Sequence, residues 1–525
     1  MLDAVIHPAV LLVYLVPLSL GAIACWVRWQ PGQPPQRVYR LAMTVMGVAL
    51  LAVLLAATAL LLNGPLATPL LGMNGLGLAI RLDALSLVMF GLVASIGLLV
   101  IHFSRNYLDG DPGQGRFLGD LCLTIGAVIL FVLSGNLVQL VLAWIGTSLA
   151  LHRLLLFYSD RKGAVLAARK KFIAARIGDL CFTAAAILMV RAFGTGDLGT
   201  LADAAGTALA TGTVPAGIGA ATVLVVVAAA LKSAMFPFHG WLLEVMETPT
   251  PVSALLHAGL LNAGTFLIVR LGEVIFLYPP TLHLLILVGG FTALFASTAM
   301  VTQNSVKVSL AYSSAAHMGF MLMLCGFGAH SLAIMHLVAH SFYKAHAFFS
   351  SGSIVEYAQA TSTAKEKSAP QPVALLISLL AAAAIFVAIG SLLGIDLTKR
   401  PGEIALGVIF ITATTALLAR AFAGRPQRFV LLRTGLAAAG VTLAFFALEL
   451  LAARLLTGSV ALFPTPGPAT LFIMMMAVLF FALVTLLYAQ LPAIAKTPVG
   501  RAAYVHLKQG LYANTLFDRL IGALR

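Results

Sequence analysis

The chain is 525 residues long, 61% hydrophobic and only 10% charged, a composition that excludes a soluble globular domain. About fifteen apolar segments are long enough to cross a bilayer, so the fold class is an all-α polytopic membrane protein. The net charge of +14 does not imply nucleic acid, because the basic residues sort by loop instead of gathering into one patch.

The segments fall near residues 5–29, 38–62, 81–104, 117–134, 137–158, 169–194, 217–247 (interrupted), 250–276, 281–301, 306–327, 329–356, 371–395, 403–424, 429–455 and 468–491. Assigning alternate loops to alternate sides puts most Lys and Arg on one face. That face includes Arg28, Arg37, Arg40, Arg161, Lys162, Arg169, Lys170, Lys171, Arg420, Arg425 and Arg428. The other side receives Arg81, Arg191, Arg270, Lys399, Arg400 and Arg454, while Arg153, Arg176, Lys232 and Lys344 lie within segments. By the positive-inside rule the basic face is cytoplasmic, with the amino terminus outside and the carboxyl terminus inside. The first segment has neither a basic region before it nor a cleavage site, and reads as a retained helix. Cys25, Cys122, Cys181 and Cys325 sit in separate segments with no Cys-x-x-Cys pair and read as buried thiols, not as a zinc site or disulfide framework.

The first two helices carry almost no buried charge and read as scaffold. A Gly/Pro/Asn loop (63–77) leads to Arg81 and Asp83 at the mouth of the third. In the fifth segment His152 and Arg153 lie just before a basic loop, where they either snorkel to the surface or take part in transport. In the sixth, Arg176 and Asp179 are three residues apart on one helix face, as a structural salt bridge or a relay pair. Residues 192–216, rich in Gly, Ala and Thr, form the longest outward loop.

Around residues 232–257, KSAMFPFHGWLLEVMETPTPVSALLH, the chain places Lys232, His239, Glu244, Glu247 and His257 within very apolar surroundings and interrupts them with Pro237, Pro249 and Pro251. Charge in hydrocarbon is costly and marks an ion or proton route, and prolines at that depth predict a discontinuous helix. A second ionisable run follows. His317 lies near mid-helix, then HLVAHSFYKAHAFFSSGS spaces His336, His340 and Lys344 four residues apart, a stripe about 12 Å long. Three protonatable groups on one stripe beside His317, with Lys232 and His257 on another helix, predict a proton path. Residues 359–371 read as a polar cytoplasmic loop, the twelfth segment exits through Asp396, Lys399 and Arg400, and the tail after Pro492 reads as a short amphipathic surface helix (Tyr504, Leu507, Leu511, Leu520).

The stretches KSAMFPFHGWLLEVMETPTPVSALLHAG, KVSLAYSSAAHMGFM and HLVAHSFYKAHAFFSSGS resemble the antiporter-like membrane subunits of respiratory complex I, specifically the L subunit of NADH:quinone oxidoreductase, and the Mrp cation/proton antiporter subunits. That resemblance implies an antiporter-like fold of two inverted five-helix repeats with interrupted helices. It divides the chain into scaffold helices (1–110), a first repeat (111–276), a second repeat (277–424), two further helices (425–495) and a cytoplasmic tail (496–525). It also implies that Lys232, His257, His336, His340 and Lys344, with Arg176 and Asp179, belong to the proton path; His317 joins them by position, and Glu244, His152 and Arg153 are further candidates. The chain departs from the L subunit in having Trp144, Ile145 and Gly146 where that subunit has Trp-Glu-Gly. It also lacks the Lys-containing twelfth-helix motif (385–400 reads IFVAIGSLLGIDLTKR) and a long lateral helix.

The phrases RLDALSLVMFGLVASIGLLVIHFSRNYL, LAWIGTSLALHRLLLFY and YVHLKQGLYANTLFDRL resemble the DabB family, membrane subunits of DAB inorganic carbon accumulation complexes, over essentially the whole chain. This resemblance implies a bacterial inner-membrane transporter subunit, not itself an enzyme. Its cytoplasmic partner would be a DabA-like zinc protein similar to a β-carbonic anhydrase, with zinc in the partner and no cofactor in this chain. Cation flow, of protons, would drive CO2 hydration to bicarbonate there. The alternatives are a proton-pumping subunit of NADH:quinone oxidoreductase and a cation/proton antiporter subunit.

Overall fold

The computed structural model describes residues 7–352, 370–395, 401–421 and 428–520. Among them, thirteen helices are long and apolar enough to cross a membrane. Two more complete the expected set. Ile218–Lys232 (α8) is short, and His330–Phe349 (α15) is polar because it carries four histidines and Lys344. The predicted loop 359–371 falls almost entirely outside the described residues, and Asp396, Lys399, Arg400 and Arg425 also lie outside them.

α1 (Pro8–Trp29) and α2 (Pro35–Asn63) lean on α3 (Ala84–Tyr107) and α4 (Gln114–Val132). On α2 the buried residues Ala42, Met46, Ala49, Ala52 and Ala56 recur every three or four positions, while Leu51, Leu54 and Leu55 face outward. Small residues inward and leucine outward is the pattern of a helix packed on protein by one face and bathed in lipid on the other. Next come α5 (Leu137–Leu155) and α6 (Lys162–Phe193), then α7 (Leu198–Thr211), the broken region described below, α13 (Pro279–Val301), α14 (Val306–Gly326) and α15. α13 and α14 cross so closely that a Cβ on Gly289 would lie 2.6 Å from the Gly319 carbonyl oxygen, and one on Gly319 equally close to that of Gly289. Only glycine permits this approach. α16 (Pro372–Leu392), α17 (Pro401–Ala421), α18 (Arg428–Leu455) and α19 (Pro468–Ala489) form an outer group with many exposed Leu, Phe and Met side chains.

Several segments differ from the sequence reading. The Gly/Pro/Asn loop folds into two small antiparallel ribbons, Leu66–Ala67 (β1) with Arg81–Leu82 (β4), and Leu71–Met73 (β2) with Leu76–Leu78 (β3). The inner hairpin turns at Asn74 and Gly75, both with positive φ, the pairing that a tight hairpin turn demands. The expected outward loop 192–216 is mostly α7: Asp197 caps it by accepting from the Thr200 amide at 2.8 Å, Gly212 ends it in the left-handed region, and Leu198, Leu201, Ala205 and Ala208 make its buried face. Its Gly/Ala/Thr content hid that periodicity. α6 begins at Lys162, about two turns earlier than predicted, so Lys170 and Lys171 lie inside the bundle and not in a basic loop. Cys122 and Cys325 are buried as expected, but Cys181 is only partly covered and Cys25 is exposed, each on the outward side of its helix. The tail is two short helices, α21 (Pro498–Lys508) and α22 (Ala513–Leu520), after the single-turn α20 (Leu491–Ile494). A turn with positive φ at Leu511 and Tyr512 separates α21 from α22. Leu507 packs on the core, whereas Leu520 is exposed.

The predicted discontinuous helix is present. α8 stops at Lys232, where Ala234 takes the left-handed conformation (φ +53), which costs a residue with a Cβ about 1–2 kcal/mol. The chain resumes as α9 (Gly240–Glu244), breaks at Thr248 and Pro249, and continues as α10 (Thr250–Leu255). A second interruption follows that prolines did not announce. Leu256–Leu260 form a π turn closed by the Leu261 amide on the Leu256 carbonyl (3.1 Å), before α11 (Ala263–Arg270) and α12 (Gly272–Phe276). On the side opposite the tail, Arg270 reaches Asp83, the residue that caps α3, and so ties α11 to the start of α3.

Candidate functional site

Lys232, the last residue of α8, directs its amine at the wall of α5. Its Nζ donates to the Trp144 carbonyl (3.0 Å) and to Thr147 Oγ1 (2.9 Å), and lies 4.2 Å from the centre of the Trp144 ring. Ile145 adds no charge. One turn further along α5, Ser148 accepts from Lys171 Nζ through both its carbonyl (2.6 Å) and Oγ (2.9 Å). A cavity of about 20 Å³ is lined by both lysines and by Leu256, Leu260 and Leu261 of the π-turn region. Arg176 and Asp179 form the intrahelical ion pair foreseen from their spacing (2.5 Å), with Arg176 resting on Phe172.

A second cluster occupies α14 and α15. His317 Nδ1 and His336 Nε2 share a hydrogen bond of 2.9 Å, and the His317 and His340 rings are 4.9 Å apart. Lys344, fully buried, donates to the Leu310 carbonyl at 3.1 Å. His257, on the π turn, stacks on Phe348 of α15 with ring centres 4.6 Å apart. Both ring nitrogens of His257 and of His340 are buried and have no hydrogen-bond partner among the described residues. Buried polar groups are normally satisfied by protein or water, so these four atoms mark positions suited to water or a moving proton. The π turn thus stands between the clusters: its leucines face the Lys232 cavity and its histidine faces α15. Such turns inside helices are common at functional sites.

The remaining candidates lie elsewhere. Glu244 belongs to a polar cluster at the tail. Lys170, fully buried, is paired with Glu244 and with Asp518 of α22, and its Nζ also donates to Asn514 Oδ1 (2.9 Å), while Asn514 donates to Glu244 Oε1 (2.9 Å). Arg153 is exposed, and His152 is partly buried against Phe172. Two features escaped the sequence reading. The sequence counts Lys170 and Lys171 with the cytoplasmic basic residues, although Lys171, Ala175 and Asp179 recur every four residues, a spacing that extends the buried face of α6 back to Lys171. The Asp83–Arg270 pairing joins residues 187 positions apart and left no local signal.

The chain is 35% identical to the probable inorganic carbon transporter subunit DabB2 of Halothiobacillus neapolitanus over 98% of its own length and 94% of the relative's. The chain belongs to the DabB family. It is also 41% identical to the probable inorganic carbon transporter subunit DabB of Hydrogenovibrio crunogenus, over 53% of each chain. The family pattern described as NADH:quinone oxidoreductase/Mrp antiporter, TM, matches residues 134–369, and that of the NADH-ubiquinone oxidoreductase (complex I) chain 5 N-terminus matches residues 72–118. Among solved structures, the Mrp complex from Dietzia sp. superimposes with a TM-score of 0.65 at 25% identity, covering 96% of this chain and 59% of that one. The protein is therefore a multi-pass, antiporter-like membrane subunit of the transporter type, and both lysine and histidine clusters lie within the matched region 134–369.

Proposed function

We propose that the chain conducts protons across a bacterial inner membrane and that their downhill flow drives CO2 hydration to bicarbonate in a zinc-bearing partner similar to a β-carbonic anhydrase. The observation that carries this reading is the succession of ionisable groups on broken and stacked helices, from Lys232 past the π turn with His257 to Lys344, His340, His317 and His336. In this reading the two repeats, 111–276 and 277–424, each contribute one half of the path, with Arg176 and Asp179 beside the first. The amino terminus is outside, and the basic face with the tail meets the partner in the cytoplasm. The family name of the relatives supports inorganic carbon as the cargo, and the lack of an acid at Ile145 favours a chain driven by a gradient over one driven by redox chemistry. A potential of 100 mV offers about 2.3 kcal/mol per charge, enough for one or two protons to bias hydration appreciably.

The test is inorganic carbon uptake by cells expressing this chain with its partner. Uptake should collapse on addition of a protonophore and should be abolished by Lys232→Ala in a complex that still assembles. Uptake that survives loss of the gradient, or that requires NADH oxidation directly, refutes the reading.

A further inference from the structure

Within the reading of the chain as a proton conductor, we infer that Lys171 is a carrier in its own right, forming with Lys232 a two-amine site on α5 that passes protons and turns sodium away. Lys171 is 4% exposed, deep in α6, and its amine is held at a defined place by both oxygens of Ser148. Lys232 is held by Trp144 and Thr147, three or four residues earlier on the same helix. The cavity of about 20 Å³ that both line has room for a water, which needs roughly 10–15 Å³. Among the described residues no carboxylate hydrogen-bonds to either amine. The charged and titratable groups around Lys171 are Lys232, Arg176, Asp179 and His152, and Asp179 is already engaged by Arg176.

The chemistry follows from that arrangement. Two ammonium ions facing one small cavity disfavour each other, so the site favours one excess proton shared between two amines. Transfer breaks one N–H bond on the charged amine and forms one on the neutral amine, directly or through a water, and leaves the total charge unchanged. Sodium needs oxygen ligands. The four oxygens that hold the amines, the Trp144 carbonyl, Thr147 Oγ1, and the Ser148 carbonyl and Oγ, each already accept from a lysine amine, and a metal ion entering would meet the positive charge that the two amines share.

The experiment uses the assembled complex in sealed vesicles, with proton uptake read by an internal pH dye and sodium uptake by radiolabel. Lys171→Arg keeps the length, charge and donors but cannot release its proton. It should assemble normally and lose about a hundredfold in proton flux, the low end of what a proton-transfer group contributes. Lys171→His should restore part of the flux with its pH profile moved to lower pH, because imidazole holds its proton less tightly than an amine. A purely structural lysine predicts the reverse order, with Arg tolerated and His damaging. Proton flux at the normal rate in Lys171→Arg while Lys232→Arg is inactive overturns the role of Lys171 and leaves the conduction reading standing. Sodium uptake in place of protons overturns the selectivity of the site. A complex that carries no cation at all defeats the reading of the chain as a conductor.

Discussion

Replacing Asp83 with Asn isolates the ion pair that fastens α3 to α11. Asn is as good a helix cap as Asp, so the cap on Ser86 survives while the charge is lost. The structure sets the size of the effect. Arg270 Nη1 and Nη2 lie 2.5 and 3.1 Å from the two Asp83 oxygens, Arg81 Nε lies 2.9 Å from one of them, and the Asp83 and Arg270 side chains are 1% and 3% exposed. Asp83 stands just before the α3 span. Burial alone would raise its carboxyl above the usual value of 3.8, but the Arg270 and Arg81 guanidiniums, with the Ser86 amide, outweigh it and hold the group at about 2. That lowering corresponds to about 2 kcal/mol at 1.36 kcal/mol per pH unit. The sign follows from a depressed value in the folded state: the contribution is fully present above pH 3.8 and is lost as pH falls through about 2. Removing the charge by mutation also strands Arg270 in the interior, which brings the expected loss to about 3–5 kcal/mol. Unfolding in mixed detergent micelles, titrated with denaturing detergent, should show this as a shift of at least about a hundredfold in the unfolding constant. The double variant Asp83→Asn with Arg270→Gln, which leaves no stranded charge, should be more stable than Asp83→Asn alone. A single variant within about 1 kcal/mol of the natural protein, or a double as unstable as the sum of the singles, would show that the pair does not fasten these helices.

Two further outcomes are expected. Asp518→Asn weakens the hold of α22 on Lys170, so hydrogen exchange of the backbone across residues 239–247 should accelerate while exchange in α13 and α14 stays as it was. Because His317 and His336 share one hydrogen bond, His317→Phe and His336→Phe should each remove most of the ion flux of the complex, and the double variant should add little to either single one.

Where residues act through local spacing, the sequence was a sufficient guide. Arg176 and Asp179 pair as their three-residue separation requires, His336, His340 and Lys344 lie along one helix, and the break after Lys232 follows from a charged residue and proline in apolar surroundings. The π turn was not legible because nothing in LHAGL differs from ordinary helix; one residue too many between Leu256 and Leu261 is resolved only by packing against α15 and the lysine cavity. Lys170 and Lys171 were misplaced for a different reason. A run of basic residues at the end of a segment satisfies the positive-inside rule, and the rule does not ask whether each amine has a partner within the fold. Here the partners, Ser148, Glu244, Asn514 and Asp518, come from three other elements, one of them more than 340 residues away in sequence.

The same two lysines connect the tail and the candidate path through one helix. Successive residues on a helix point about 100° apart, so Lys170 and Lys171 leave α6 in different directions from almost the same height. Lys170 turns to α9 and the tail, where Asn514 sits so close over Gly240 that a Cβ there would meet its Oδ1 at 2.0 Å. Lys171 turns to Ser148 and the cavity it shares with Lys232. A displacement of α22 that draws Lys170 along the axis of α6 must draw Lys171 by a similar amount, and hydrogen bonds of 2.6 and 2.9 Å weaken steeply over a shift of half an ångström or so. Because α9 follows directly from the break after Lys232, the same displacement also reaches the other amine through the backbone. The tail therefore has two mechanical connections to the lysine pair, one through α6 and one through the broken helix.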